Sequence, residues 1–182
     1  VLGFLGPNGA GKSTTMNMLT GYLSATEGSI FVEGISMQES PEEAKRSIGY
    51  LPEIPPLYTD LTVMEYLRFV MRLKKVKGIR DAENYLTGIC RRTGIEQVRG
   101  RLIRHLSKGY RQRVGIAQTL VGDPKILILD EPTVGLDPSQ IMEIRSLIRD
   151  LGKEHTIILS SHILQEIQAV CNRIIIIGEG KL

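Results

Sequence analysis

A glycine-rich turn set between two patterned runs constrains this chain more than any other feature. Val1–Leu5 is an apolar, strand-like run; "GPNGAGKST" (Gly6–Thr14) follows it. "KSTTMNMLTGYL" (Lys12–Leu23) then places Met16, Leu19 and Leu23 on one helical stripe. The turn has the form G-x-x-x-x-G-K-[ST] in the strand-to-helix setting that this pattern needs. Across Gly6, Pro7, Asn8, Gly9, Ala10 and Gly11 the glycines let backbone N–H groups turn inward around a phosphate, and the helix N-terminus adds a partial positive charge. Lys12 can reach outer phosphates, and the Ser13 hydroxyl can ligate Mg²⁺.

Strands and helices alternate on both sides of a mostly helical middle. "GSIFVEG" (Gly28–Gly34) and "SIGYLPE" (Ser47–Glu53) read as strands. Thr62 and Glu65 have capping-box spacing, which predicts a helix reaching Leu73. Further helices are predicted over Asp81–Arg92 and Ser107–Val121. Asp137-Pro138 is an N-cap followed by proline at the first helical position, opening a helix to Leu151. "TIILSS", "HILQEIQAV" and "RIIIIGEG" complete the chain as strand, helix and strand. Several strands are unbroken apolar runs, as in a sheet covered on both faces. The expected class is α/β, a mostly parallel sheet with an inserted helical subdomain over 54–108.

"KILILD" (Lys125–Asp130) ends in two adjacent acids, Asp130 and Glu131, ahead of Pro132. A buried strand gains nothing from them unless they meet water or hold something positive. A nucleoside triphosphate brings Mg²⁺, which needs oxygen ligands at a neighbouring strand end. Asp130 can serve the metal, directly or through water, and Glu131 can polarise the attacking water.

Composition narrows the rest. Hydrophobic residues are 42% and charged residues 24% of 182, which fits one globular domain. The net charge of +3 does not argue for nucleic acid, and no nucleic-acid partner is expected. The basic run "RLKKVKGIR" (Arg72–Arg80) reads as a solvated helix face and turn, or as a polyanion contact. Cys90 and Cys171 lack metal-type spacing and read as small hydrophobes in a reducing compartment. No stretch approaches the roughly 20 apolar residues that span a bilayer. The chain opens without Met inside a strand, so it is expected to be a fragment.

"LSKGYRQR" (Leu106–Arg113) makes a second anion-binding helix N-terminus at Ser107 and Gly109. One chain cannot easily put two such ends on one phosphate, whereas two chains packed head to tail can.

Together these motifs resemble the ATP-binding-cassette (ABC) ATPases over the whole chain. "GPNGAGKST" is similar to Walker A, "YLPE" (Tyr50–Glu53) stands at the Q-loop and "LSKGYRQR" at the signature. "ILILDEP" is similar to Walker B, "GLD" (Gly135–Asp137) to the D-loop, and "SSH" puts His162 at the switch histidine. The resemblance implies a P-loop NTPase (RecA-like) core and one nucleotide-binding domain truncated at both ends. Its core lobe would span 1–53 and 109–182, and its helical subdomain 54–108. It implies ATP and Mg²⁺ as ligands. Lys12, Ser13 and Thr14 would hold the phosphates and metal, Asp130 the metal, Glu131 the water, and His162 the γ-phosphate and that water. Ser107 and Gly109 would act on the partner chain's ATP, and Asp137 would link the two sites. His105 and His155 are left as structural.

The Glu53, "LSKGY" and "GLDP" variants look most like the export-type subfamily. That implies an ATP-hydrolysing subunit on the cytoplasmic face of the cell membrane, working through an integral membrane transporter subunit. The alternative is a soluble ABC ATPase in translation or DNA maintenance. Glu53 replaces the usual Gln near the metal and adds a negative charge. Lys108 and Tyr110 replace Gly and Gln; Lys108 either adds a cation near the partner's phosphates or faces solvent. In "EIPPLY", Ile54, Pro55, Leu57 and Tyr58 either receive a helix of the membrane subunit or pack the hinge between lobes. The family's adenine-stacking aromatic and its antiparallel strands lie upstream of the glycine loop. The chain starts too late to contain them, and weak nucleotide affinity is expected.

Overall fold

The computed structural model describes residues 1–181; Leu182, the end of the expected core lobe, lies outside them. Its elements run β1 (Leu2–Leu5), α1 (Lys12–Leu19), β2 (Phe31–Val32), β3 (Ile35–Ser36), α2 (Pro41–Arg46) and β4 (Ile48–Leu51). Then come α3 (Val63–Leu73), α4 (Ala82–Arg92), α5 (Lys108–Leu120), β5 (Ile126–Asp130), α6 (Pro138–Leu151), β6 (Thr156–Ser161), α7 (Leu164–Val170) and β7 (Arg173–Ile176). Short 3₁₀ turns at Glu96–Val98 and Ile103–His105 lead from α4 to α5.

Five strands form one parallel sheet in the order β4-β5-β6-β1-β7. Register aligns Leu51 with Leu129, Asp130 with Ser160, and Leu5 with both Ser161 and Ile176. All the carboxyl ends therefore open on one edge, where ligands bind in parallel α/β sheets. The expected α/β class holds.

The unbroken apolar run of β5 has a direct cause. Leu127 and Leu129 point into a cluster that holds α3–α7, while Ile128 points into a second cluster with Phe4, Met16, Ala44 and Ile48. Both faces of this interior strand are dry. The first cluster runs without a break from the sheet through Leu67, Leu86 and Ile103 of the helical region.

Helix ends follow their sequence signals. Thr62 and Glu65 form the expected capping box, with Thr62 N–H donating to Glu65 Oε2 at 2.8 Å. Asp137 caps α6, accepting the Gln140 N–H at 2.9 Å, with Pro138 opening the helix.

Three expectations change. The helix after the glycine loop stops at Leu19, because Gly21 takes φ 65 and ends it. Tyr22 and Leu23 are then exposed, so Leu23 is not part of a buried stripe. The strand in "GSIFVEG" is only Phe31–Val32 (β2), and it turns at Glu33 and Gly34, with φ of 52 and 80, to pair antiparallel with β3. Finally, β7 is an edge strand: Ile174 and Ile176 are exposed, so its apolar run is not covered on both faces.

Candidate functional site

The glycine loop leaves β1 and returns into α1 with Gly9 at φ 80 and Gly11 at φ 102, conformations that disfavour a Cβ. Gly6 serves packing instead: a Cβ there would strike the carbonyl of Ile177. Ala10 is likewise buried in the core. The first helical bond is Thr15 N–H to Gly11 O at 2.9 Å. The N–H groups of Lys12, Ser13 and Thr14 precede it, at a helix N-terminus whose cap offers no side-chain oxygen.

Lys12 is 6% exposed. Its Nζ donates to Gly6 O at 2.8 Å and Pro7 O at 3.2 Å, and lies 3.5 Å from Glu131 Oε1. Glu131 follows β5 with φ 47, a strained value for a buried non-glycine residue. Its N–H donates to Ser160 Oγ at 2.9 Å, and Ser160 Oγ donates to Asp130 Oδ1 at 2.5 Å. Ser160 of β6 therefore fixes both Asp130, the last residue of β5, and Glu131 after it. His162, at the end of β6, brings Nδ1 to 3.0 Å from Glu131 Oε2, so its Nδ1–H tautomer donates to the carboxylate.

These groups line one cleft of about 410 Å³: Asn8, Gly9, Gly11, Lys12, Ser13 and Thr14 face Glu53, Glu131, Val134 and His162. Asp130 does not line it. It is 2% exposed and lies behind Ser160, close enough to Tyr50 to raise the phenol along with burial, the larger cause, to about 12.

The oxygen donors Ser13, Glu53 and Asp130 have the hard chemistry that suits Mg²⁺. Among the described residues no group of three or more His, Cys, Asp or Glu is gathered for a metal. An ion here would thus draw much of its coordination from phosphate and water, which is how Mg²⁺ is commonly held.

Ser107 and Gly109 lie elsewhere, in a second cleft of about 490 Å³ with Arg113, Gln140 and Glu143. Ser107 caps α5, accepting the Tyr110 N–H at 3.4 Å. Lys108 is exposed, as the solvent-facing reading has it, with its ammonium beside Gly135. Tyr110 accepts a hydrogen bond from Gln97 at 2.9 Å.

The "EIPPLY" segment divides. Pro55 packs against Gly115, while Ile54 and Tyr58 are exposed. Tyr58 meets the Phe69 ring edge-on at 5.1 Å beside a groove of about 480 Å³ lined by Pro56, Leu57, Phe69 and Leu73. His155 is buried and donates from Nδ1 to Pro124 O at 2.8 Å, a structural role. Burial pushes both thiols, Cys90 and Cys171, up to about 11. Ser160 was missed in the sequence because its importance comes from register with Asp130, although "SSH" holds it two residues before His162.

The family model described as "ABC transporter" matches residues 1–134. The bacitracin transport ATP-binding protein BcrA of Bacillus licheniformis is 42% identical across all of this chain, which spans 59% of that relative's length. The lantibiotic transport ATP-binding protein SrtF of Streptococcus pyogenes is 41% identical, with 100% and 76% covered. Among solved structures, cbiO1 of Clostridium perfringens, part of the cbiONQ transporter complex, superposes with TM-score 0.88 at 32% identity, covering 99% of this chain and 74% of that one. A dimeric ATP-binding cassette bound to ADP and Pi in a post-hydrolysis state gives TM-score 0.87 at 25% identity, covering 100% and 82%.

Proposed function

This chain belongs to the ABC transporter family, and from that membership we propose that it binds and hydrolyses ATP to drive export through separate membrane subunits. One observation carries the chemistry: Lys12 and His162, from separate parts of the chain, both reach Glu131 beside the glycine loop, at 3.5 and 3.0 Å. Transport is supported by the relatives, whose names are those of bacitracin and lantibiotic transport proteins.

The N–H groups of the loop and of the first turn of α1 would receive the phosphates, with Lys12 turning its ammonium from Gly6 and Pro7 to the outer oxygens. Ser13 and Glu53 would hold Mg²⁺, which would supply neutralisation of phosphate charge, and Asp130, set back behind Ser160, would serve it through water. Glu131 takes the proton of the attacking water. His162 holds that carboxylate through Nδ1–H and contacts the γ-phosphate. The added charge of Glu53 faces the same cleft.

Ser107 and Gly109 would close on the ATP of a second copy packed head to tail, in a two-fold interface with Asp137 between the sites. We treat 54–108 as the lobe that contacts the membrane subunit through Ile54, Leu57 and Tyr58, and 1–53 with 109–182 as the catalytic lobe. No helix of the described residues is long and apolar enough to cross a membrane. The proposed location is the cytoplasmic face of the membrane.

The test is the light-scattering mass of the full-length Glu131→Gln protein with and without MgATP. A mass that doubles only with MgATP supports the shared site. A monomer that has demonstrably bound ATP refutes the head-to-tail mechanism for the isolated subunit.

A further inference from the structure

We propose that Glu166 is a positioning residue that holds Glu131 and His162 in register, an inference that rests on the ATPase reading above. Glu166 lies in the first turn of α7 and is 6% exposed. It is not among the residues that line the cleft of the glycine loop, and its hydrogen-bond partners are not either. Its Oε2 accepts from Thr133 Oγ1 at 2.6 Å and from Ser161 Oγ at 3.0 Å. Thr133 is two residues beyond Glu131. Ser161 adjoins His162, and its Oγ also accepts the N–H of Ile163 at 3.1 Å. A single carboxylate oxygen therefore ties the segment that carries the base to the segment that carries the histidine.

This acid is poorly explained as a stabilising ion pair. Arg145 Nη2 stands 3.8 Å from Oε1, and Arg145 Nε is buried without a hydrogen-bond partner among the described residues. A buried charge is costly unless well paired, and apolar packing commonly serves stability as well. What the carboxylate offers that an apolar side chain cannot is one acceptor for two hydroxyls on different segments. Ser160 makes the complementary tie on the other side of Glu131. The base is thus bracketed between two cross-strand hydrogen-bonded links. Its φ of 47 fits a conformation that the surroundings impose.

The experiment is steady-state ATP hydrolysis by the full-length protein with its membrane partner, read as kcat and KM separately. Glu166→Ala should lower kcat by about 10- to 100-fold while KM for ATP stays within about twofold. Glu166→Gln keeps an acceptor oxygen and should recover most of kcat. On a His162→Ala background, Glu166→Ala should add less than about twofold, because a residue acting through the Glu131–His162 geometry has little left to disturb. Should Glu166→Ala misfold, Thr133→Val removes one arm of the tie at constant shape and should lower kcat alone by about threefold to tenfold. Unchanged kcat in both variants overturns the proposal, as does a full multiplicative loss on the His162→Ala background. Glu131→Gln separates the two levels. If it retains hydrolysis, the ATPase reading of Glu131 fails; if it abolishes hydrolysis while Glu166→Ala does not, only the positioning role fails.

Discussion

Two helix N-termini in this molecule are both suited to an anion, and they are built differently. At α1 the cap is Gly11, with φ 102 and no side-chain oxygen to occupy the first-turn N–H groups. At α5 the cap is Ser107, whose hydroxyl already accepts the Tyr110 N–H. The α1 end also has a carboxylate, Glu131, within ion-pair distance of a buried lysine and hydrogen-bond distance of a histidine. The α5 end has Arg113, but its guanidinium is held 2.6 Å from Glu143. The first end has a carboxylate paired with a lysine and a histidine, whereas the carboxylate of the second, Glu143, is taken up by Arg113. On the reading proposed above, that difference would let one chain offer two anion sites with a single catalytic centre.

The strongest way to break the contrast is at the base. Glu131→Gln in the full-length protein with its membrane partner should lower kcat by about 10²- to 10⁴-fold with nucleotide still bound. A phosphate-release assay beside a nucleotide-binding titration measures both, and retained turnover would move catalysis away from the α1 end. Lys12→Ala comes next. It removes a buried ammonium that contacts two carbonyls and Glu131, and MgATP affinity should weaken about 10- to 100-fold, as for a lost charge-assisted bond. Equal affinity in a fluorescent-nucleotide titration would mean that the backbone N–H groups hold the phosphates alone.

Ser107→Ala sharpens the other side. If the α5 end acts only on a partner's nucleotide, binding of MgATP to the monomer should be unchanged. ATP-driven dimerisation of a Glu131→Gln background should weaken by about tenfold, and the lost cap should cost about 1 kcal/mol of stability. A loss of monomer binding would place both helix ends on one nucleotide and remove the contrast.

The α1 end was legible because its signal is local. The glycines, Lys12 and Ser13 act through residues a few positions apart, and Thr62, Glu65, Asp137 and Pro138 mark their helix ends in the same way. Pairings between strands were not legible. Nothing in "SSH" says that Ser160 will lie opposite Asp130, or that Ser161 and Thr133 will share Glu166. The apolar runs show the same limit. "ILIL" and "RIIII" look alike, yet one is the covered strand β5 and the other the edge strand β7 with Ile174 and Ile176 exposed. Composition reports how much apolar surface exists, not which strand will have neighbours on both sides. Helix α2 escaped for another reason: its Pro41 start is a proper signal, but six residues are too few to show a period.

The far end of α5 yields the smallest effect. Lys74, the C-cap of α3, donates from Nζ to Gln118 O at 3.3 Å, Thr119 O at 3.5 Å and Val121 O at 2.8 Å. It closes the carbonyl end of the helix whose amino end carries Ser107. Burial pushes its ammonium from 10.5 down to about 8. The folded pKa lies below the unfolded one, so between these values the unfolded chain holds a proton that the folded chain has released. Stability from this group therefore rises as pH climbs through that window and is flat below it. Lys74→Met should cost about 1 kcal/mol at neutral pH, through carbonyls that lose their donor. The gap between wild type and variant should then widen as pH rises from about 8 towards about 10.5. Guanidinium unfolding of both proteins across that range measures it, and other titrating groups cancel in the difference. A gap that narrows with pH would mean that the folded protein binds the Lys74 proton more tightly than the unfolded chain. The carbonyl cage of α5 would then outweigh burial, and both ends of this helix would be electrostatically satisfied from within.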